Sequence, residues 1–122
     1  MNPRIEEFSK DSKKIVYYDF SNFQMLEDYE KLIEDAKSRI VKYPMNSLLT
    51  ITNIASVKFD TSVKEAFAAW MAFNKPYVKC GAVIGVDGIK KIMANAVFVA
   101  SGRSNMKCVH TREQAVEWLL KQ

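Results

Sequence analysis

The chain is poor in the residues that most often carry chemistry. Its 122 residues include one histidine, two cysteines, four glycines and three prolines. With His110 alone, a Ser-His-Asp or Cys-His arrangement has one place to form, and no nucleophile elbow accompanies it. Nothing beside His110 demands more than a structural or solvent-facing role. Cys80 and Cys108 are too few for a disulfide framework, which favours a reducing, cytoplasmic setting. Cys108-Val109-His110 offers two ligands where a zinc site needs three or four, so no metal and no cofactor is expected. Both thiols read as small apolar residues. Gly85-x-x-Gly88 is too short for a P-loop and lacks its Lys-Ser/Thr ending, so it reads as turn chemistry. No uncharged stretch approaches the roughly 20 apolar residues of a membrane span. The opening MNPRIEEFSK holds no apolar h-region, so no signal peptide is expected.

What is present describes a folded domain. Charged residues make up 26% and hydrophobic ones 48%, the balance of a globular chain long enough for a real core. The net charge of +4 is uneven: residues 1–74 carry 10 basic and 11 acidic side chains, residues 75–122 carry 8 and 3. A basic C-terminal part suits an acidic partner or anionic headgroups, although a solvated basic face accounts for it as well. No nucleic-acid motif goes with it, and no nucleic-acid partner is expected.

Strand and helix signals alternate along the chain. Arg4 to Phe8 is a candidate short strand, Ser9-Lys10-Asp11-Ser12 a turn, and Lys14 to Phe20 a β-branched and aromatic strand. So short a link predicts an antiparallel hairpin. Residues 25–42 predict an amphipathic helix with Leu26, Tyr29, Ile33, Ala36 and Ile40 on one stripe, ended by Pro44. A strand over Leu48 to Ile54 and a helix from Ser62 to Phe73 follow. Tyr77 to Val86 is a strand whose Ala82-Val83-Ile84 run suits burial on both faces. Asp87 caps the next helix, whose expected stripe is Ile89, Ile92, Met93, Ala96, Val97 and Ala100, with Gly102 as its left-handed end. Met106 to Val109 is a short strand, and Thr111, with Gln114 completing T-x-x-Q, opens the last helix. The order predicts one α/β domain over residues 1–122, mostly parallel and built from βα repeats, with the first strand in a hairpin.

The functional expectation centres on residues 48–73. Asp60-Thr61-Ser62 offers three side-chain oxygens at a helix start, and Ser62 stands three residues before Glu65 as a capping box, S-x-x-E. The plain reading is a helix cap; the sharper one is a hydroxyl that a kinase modifies, adding close to two negative charges. After it, residues 66–73 carry no charge. Phe67, Trp70, Met71 and Phe73 span most of the helix circumference, so at least one should be exposed. Exposed, they form a docking patch; enclosed, one wall of a pocket.

FDTSVKEAF, between strand and helix, resembles the D-[ST]-[ST]-G-[LIVM] signature of STAS domains, the bacterial anti-sigma-factor antagonists. The element order extends the likeness over the chain, through to VHTREQAVEWL. LLTITNI and NKPYVKCGAVIGVDGIKKIMANAVFVASGR are similar to a bacterial STAS-like subgroup that is grouped with CRAL-TRIO-type lipid-transfer folds. The resemblance implies that Asp60 and Thr61 take the first two motif positions and Ser62 the hydroxyl phosphorylated in the antagonists. Val63 stands in place of the glycine, and Lys64 in place of the apolar residue. It implies a non-enzymatic regulatory module that binds another protein, an anti-sigma-like kinase or regulator, at the Asp60 to Phe73 edge. The alternative is a lipid or apolar-ligand domain, with its site beneath residues 62–73 and 89–101 and peripheral membrane contact. A homodimer is compatible with either.

Overall fold

Five strands and four helices alternate as expected: β1 (Ile5–Lys10), β2 (Lys13–Asp19), α1 (Leu26–Ile40), β3 (Leu48–Asn53), α2 (Thr61–Asn74), β4 (Val78–Ile84), α3 (Gly88–Ala100), β5 (Met106–Cys108) and α4 (Arg112–Leu120). This computed structural model describes residues 2–122, with Ile89 described by its backbone alone. The strands form one sheet in the order β1-β2-β3-β4-β5. β1 and β2 are antiparallel; every other pairing is parallel.

The hairpin link is shorter than the turn signal of Ser9 to Ser12. Ser9 and Lys10 stay paired in β1, and only Asp11 and Ser12 turn, with φ of 51° and 65°. Two consecutive left-handed residues make the tight turn whose twist suits a hairpin. Polar side chains do not prevent pairing there because β1 is an edge strand with solvent beside it.

β3 and β4 are buried on both faces, which explains their loss of alternation. On one face, Val16, Tyr18, Phe20, Leu48, Val78 and Val83 meet buried residues of α1, α2 and α3. On the other, Ile15, Leu49, Ile51, Cys80, Ala82 and Ile84 meet Ala115 and Leu119 of α4. Sequential parallel strands with their connecting helices on one face require every crossover to share one hand.

α1 buries Tyr29, Ile33, Ala36 and Ile40 as the 3,4 spacing predicts, and adds Leu32. α3 departs from its expected stripe. Ala94, Val97 and Ser101 are buried, whereas Ala96 and Ala100 are exposed and Ile92 is 72% exposed; the side chain of Ile89 lies outside the described residues. The helix is apolar nearly all round, so periodicity does not fix its phase. The bulk of Phe67, Trp70 and Met71 already fills the sheet face, and α3 packs beside them through its smaller residues. Its ends match expectation. Asp87 Oδ1 accepts the Lys90 N–H at 3.1 Å. Gly102, at φ 70°, lets the Arg103 N–H return to the Phe98 carbonyl at 2.8 Å.

Candidate functional site

The carboxyl ends of the parallel strands carry three loops that are tied together by backbone hydrogen bonds. Asn22 N–H donates to the Ala55 carbonyl at 2.9 Å, and Lys58 N–H donates to the Phe23 carbonyl at 2.9 Å. The Tyr29 hydroxyl of α1 donates to the Lys58 carbonyl at 2.8 Å. Burial of the ring pushes the Tyr29 phenol well above its ordinary range, so it remains a donor. Arg4 Nη1 donates to the carbonyls of Asp19 and Ser21 at 3.0 and 2.8 Å, with its guanidinium 4.2 Å from the Phe23 ring centre. The β3–α2 loop is therefore held from α1 and β2, and it carries Asp60 to the start of α2.

Gly85 brings in the β4–α3 loop. Its φ is 79°, and a Cβ there would sit 2.5 Å from the Ala55 backbone nitrogen. Only glycine meets both requirements, so the β3–α2 and β4–α3 loops touch through backbone.

At the start of α2 the cap is Asp60. Its Oδ1 accepts the Val63 N–H at 2.9 Å, and its carbonyl accepts the Lys64 N–H at 2.9 Å. This corrects the expected S-x-x-E box: Ser62 lies in the first helical turn, and Glu65 is a solvent-exposed residue one turn further on. The reason is the phase of the helix. Val63, Phe67, Trp70, Met71 and Asn74 are its buried residues, and turning Val63 inward at the third position makes Asp60 the N-cap. Asp60, Thr61 and Ser62 are all exposed, and among the described residues the Ser62 hydroxyl has no hydrogen-bond partner.

The apolar residues of α2 divide. Phe73 is 39% exposed, stacked on Trp70 at 6.3 Å between ring centres with Lys37 Nζ 5.2 Å from its own. Phe67, Trp70 and Met71 are buried against the sheet. The four do not form one docking patch, because the sheet takes three of them for the core. Those three instead line a cavity of about 40 Å³ between the sheet, α2 and α3. Ala94, Val97 and Phe98 close it from α3, and Thr50, Thr52 and Met106 from the sheet.

One residue of this region gave no signal in sequence. Arg103 is only 6% exposed. It joins the end of α2 to the segment before β5 by donating from Nη1 to the Met71 carbonyl at 3.0 Å and to Asn74 Oδ1, and from Nε to Asn105 Oδ1 at 2.9 Å. It lies in the turn-like run Ser101 to Asn105, where nothing in the sequence marks burial.

His110 is exposed, and its backbone N–H donates to Gln114 Oε1 at 3.1 Å. Cys80 is buried and Cys108 half-buried, and burial pushes both thiols up. No group of three metal-ligating side chains occurs among the described residues. No helix among them is long and apolar enough to cross a membrane.

No family model matches the chain, and no curated protein does. Solved structures that share its architecture include the following two. An uncharacterised protein of the DUF3478 family with a SpoIIAA-like fold, from Shewanella loihica PV-4, aligns with a TM-score of 0.72 at 13% identity, over 94% of this chain and 91% of that one. An anti-sigma-factor antagonist (STAS) domain protein from Planctomyces limnophilus aligns with a TM-score of 0.62 at 10% identity, over 95% of this chain and 97% of that one. The fold is STAS-like: an antiparallel N-terminal hairpin leads into a parallel sheet with βα repeats.

Proposed function

We propose that the chain is a non-enzymatic regulatory module that binds another protein through the exposed start of α2, with Ser62 as a phosphorylation-controlled contact. The observation that carries this reading is the division of labour at that start. Asp60 satisfies the helix, and the Ser62 hydroxyl is left in solvent with no structural duty. A phosphate there would add close to two negative charges without removing a cap. Similarity to a protein described as an anti-sigma-factor antagonist supports a protein partner, since that protein shares the fold; the function itself rests on the site. The held loops around it present a stable edge, which favours docking with little rearrangement.

The lipid-carrier reading has less support. A cavity of about 40 Å³ is far below the roughly 300–1,000 Å³ that encloses a drug-sized ligand.

Photo-crosslinking in the native cell tests the proposal. A benzophenone amino acid placed at position 62 should give one dominant protein adduct, and the same group at Glu113 on α4 should not. Equal adducts at both positions, or none at 62, would count against a partner at this edge.

A further inference from the structure

β1 is an outer strand of the sheet, six residues long, whereas the opposite edge, β5, has three. Its backbone groups alternate between the sheet and solvent. Asp19 N–H donates to the Arg4 carbonyl at 2.8 Å, so in this register Glu6, Phe8 and Lys10 are the residues bonded to β2. Ile5, Glu7 and Ser9 turn their main-chain groups away from it. The Ile5 N–H finds the Asn2 carbonyl at 3.1 Å, but no loop or helix among the described residues bonds the main chain of Glu7 or Ser9. Such an edge is a template for another strand.

The side chains of β1 say which strand fits. Glu6, Phe8 and Lys10 share the face turned toward α4. Arg112 Nη1 meets Glu6 Oε2 at 2.9 Å, which leaves Oε1, and the Arg112 guanidinium lies 5.1 Å from the Phe8 ring centre. Phe8 is half-buried and lines an open groove with Val116 and Leu120 of α4. Lys10 has no ion pair among the described residues. It stands opposite Lys13 in the hairpin, a like-charge pair that a carboxylate beside it would relieve.

Laid antiparallel against its own copy, this strand meets all of these needs in one register. The outward main-chain groups face each other only when odd-numbered residues oppose odd-numbered ones. Centred on Phe8, that alignment sets Glu7 opposite Ser9 on both sides, and these pairs exchange main-chain hydrogen bonds. Glu6 then stands opposite Lys10 of the second copy, also on both sides, and Phe8 meets its counterpart beside the groove. These are the non-hydrogen-bonded pairs, where side chains approach most closely. Centring on Glu7 would set that acid against itself, and centring on Ser9 would set Glu7 against Asp11. Charge therefore selects the register.

We propose that a second copy of this chain pairs with β1 about a two-fold axis at Phe8, joining the two sheets into one. The contact is isologous, as a two-fold dimer requires. A foreign strand would use the same main-chain groups, but the change of sign from Glu6 to Lys10 matches the chain's own sequence. No residue of α2 takes part, so the dimer stands independently of the role of Ser62. A strand of six residues on each side makes a small interface, and the association is weak and reversible.

Sedimentation velocity of the full chain over a concentration series tests this. Wild type should show a reversible monomer–dimer equilibrium with a dissociation constant on the order of 1–100 μM. Lys10→Glu and Glu6→Lys each oppose like charges and should weaken it about tenfold or more. An equimolar mixture of those two variants restores opposite charges at both pairs and should recover the dimer. Ser9→Pro removes an outward N–H, which an edge strand tolerates, and should give a monomer that melts cooperatively. Wild type that stays monomeric throughout the series would overturn the proposal. So would a dimer unchanged by Ser9→Pro, or a mixture that associates no better than either variant alone.

Discussion

Asp60 accepts the Val63 N–H at 2.9 Å and so caps α2, which leaves the neighbouring Ser62 hydroxyl free in solvent. The two side chains lie two residues apart and do different work. Asp60→Ala should therefore destabilise the protein by about 0.5–2 kcal/mol. Ser62→Ala should stay within about 0.5 kcal/mol of wild type. Urea denaturation of both variants checks this, and equal losses would return the cap to Ser62.

Gly85→Ala tests the contact between loops. A left-handed backbone and a Cβ placed 2.5 Å from the Ala55 nitrogen together should cost more than the roughly 1 kcal/mol of an ordinary glycine effect. The same denaturation series measures it. A loss below about 0.5 kcal/mol would mean that the two loops separate easily.

Trp70 and Phe73 should behave oppositely despite their stacking. Trp70→Ala should cost about 3–5 kcal/mol, since the ring is fully buried. Phe73→Ala should cost about 1 kcal/mol or less, as the residue is 39% exposed. Comparable losses would show that the partition of α2 into core and surface is wrong.

How much of this was legible beforehand depends on what each residue's neighbours are. The β-branched and aromatic run Lys14 to Phe20 marks a strand, and the 3,4 spacing of α1 records burial on one face of a helix, so element order and sheet type could be read directly. Asp60-Thr61-Ser62 could not be resolved by spacing alone, because all three are able to cap. The choice falls to Asp60 through the inward turn of Val63, which depends on the sheet beneath. α3 is apolar on nearly every side, so its phase is set by what α2 has already filled. Arg103 was invisible for a related reason. Its burial comes from the approach of α2's end to the segment before β5, a contact between residues 29 to 32 positions apart.

Acid pH should weaken the tie between α4 and the hairpin. Arg112 Nη1 meets Glu6 Oε2 at 2.9 Å, and its hydrogen bond and charge hold the Glu6 carboxyl below the usual carboxylate range. A carboxyl lowered in the folded state contributes stability above its unfolded pKa, and that contribution is lost as pH falls through the folded value. Glu6 is largely exposed, so screening keeps the effect small. Glu6→Gln should lower stability slightly at neutral pH and leave it unchanged at acid pH, which flattens the acid limb of a stability–pH profile. A loss at pH 7 as large as that of Asp60→Ala would contradict this.

Affinity purification from the native cell with wild type, Ser62→Ala and Ser62→Asp tests the regulatory role most directly. All three should melt alike, because a negative charge in the first turn of a helix is tolerated or mildly favourable. Wild type and Ser62→Ala should retain the partner crosslinked at position 62, and Ser62→Asp should lose it. Retention of that partner by Ser62→Asp, at wild-type level and with an unchanged melt, would contradict the account.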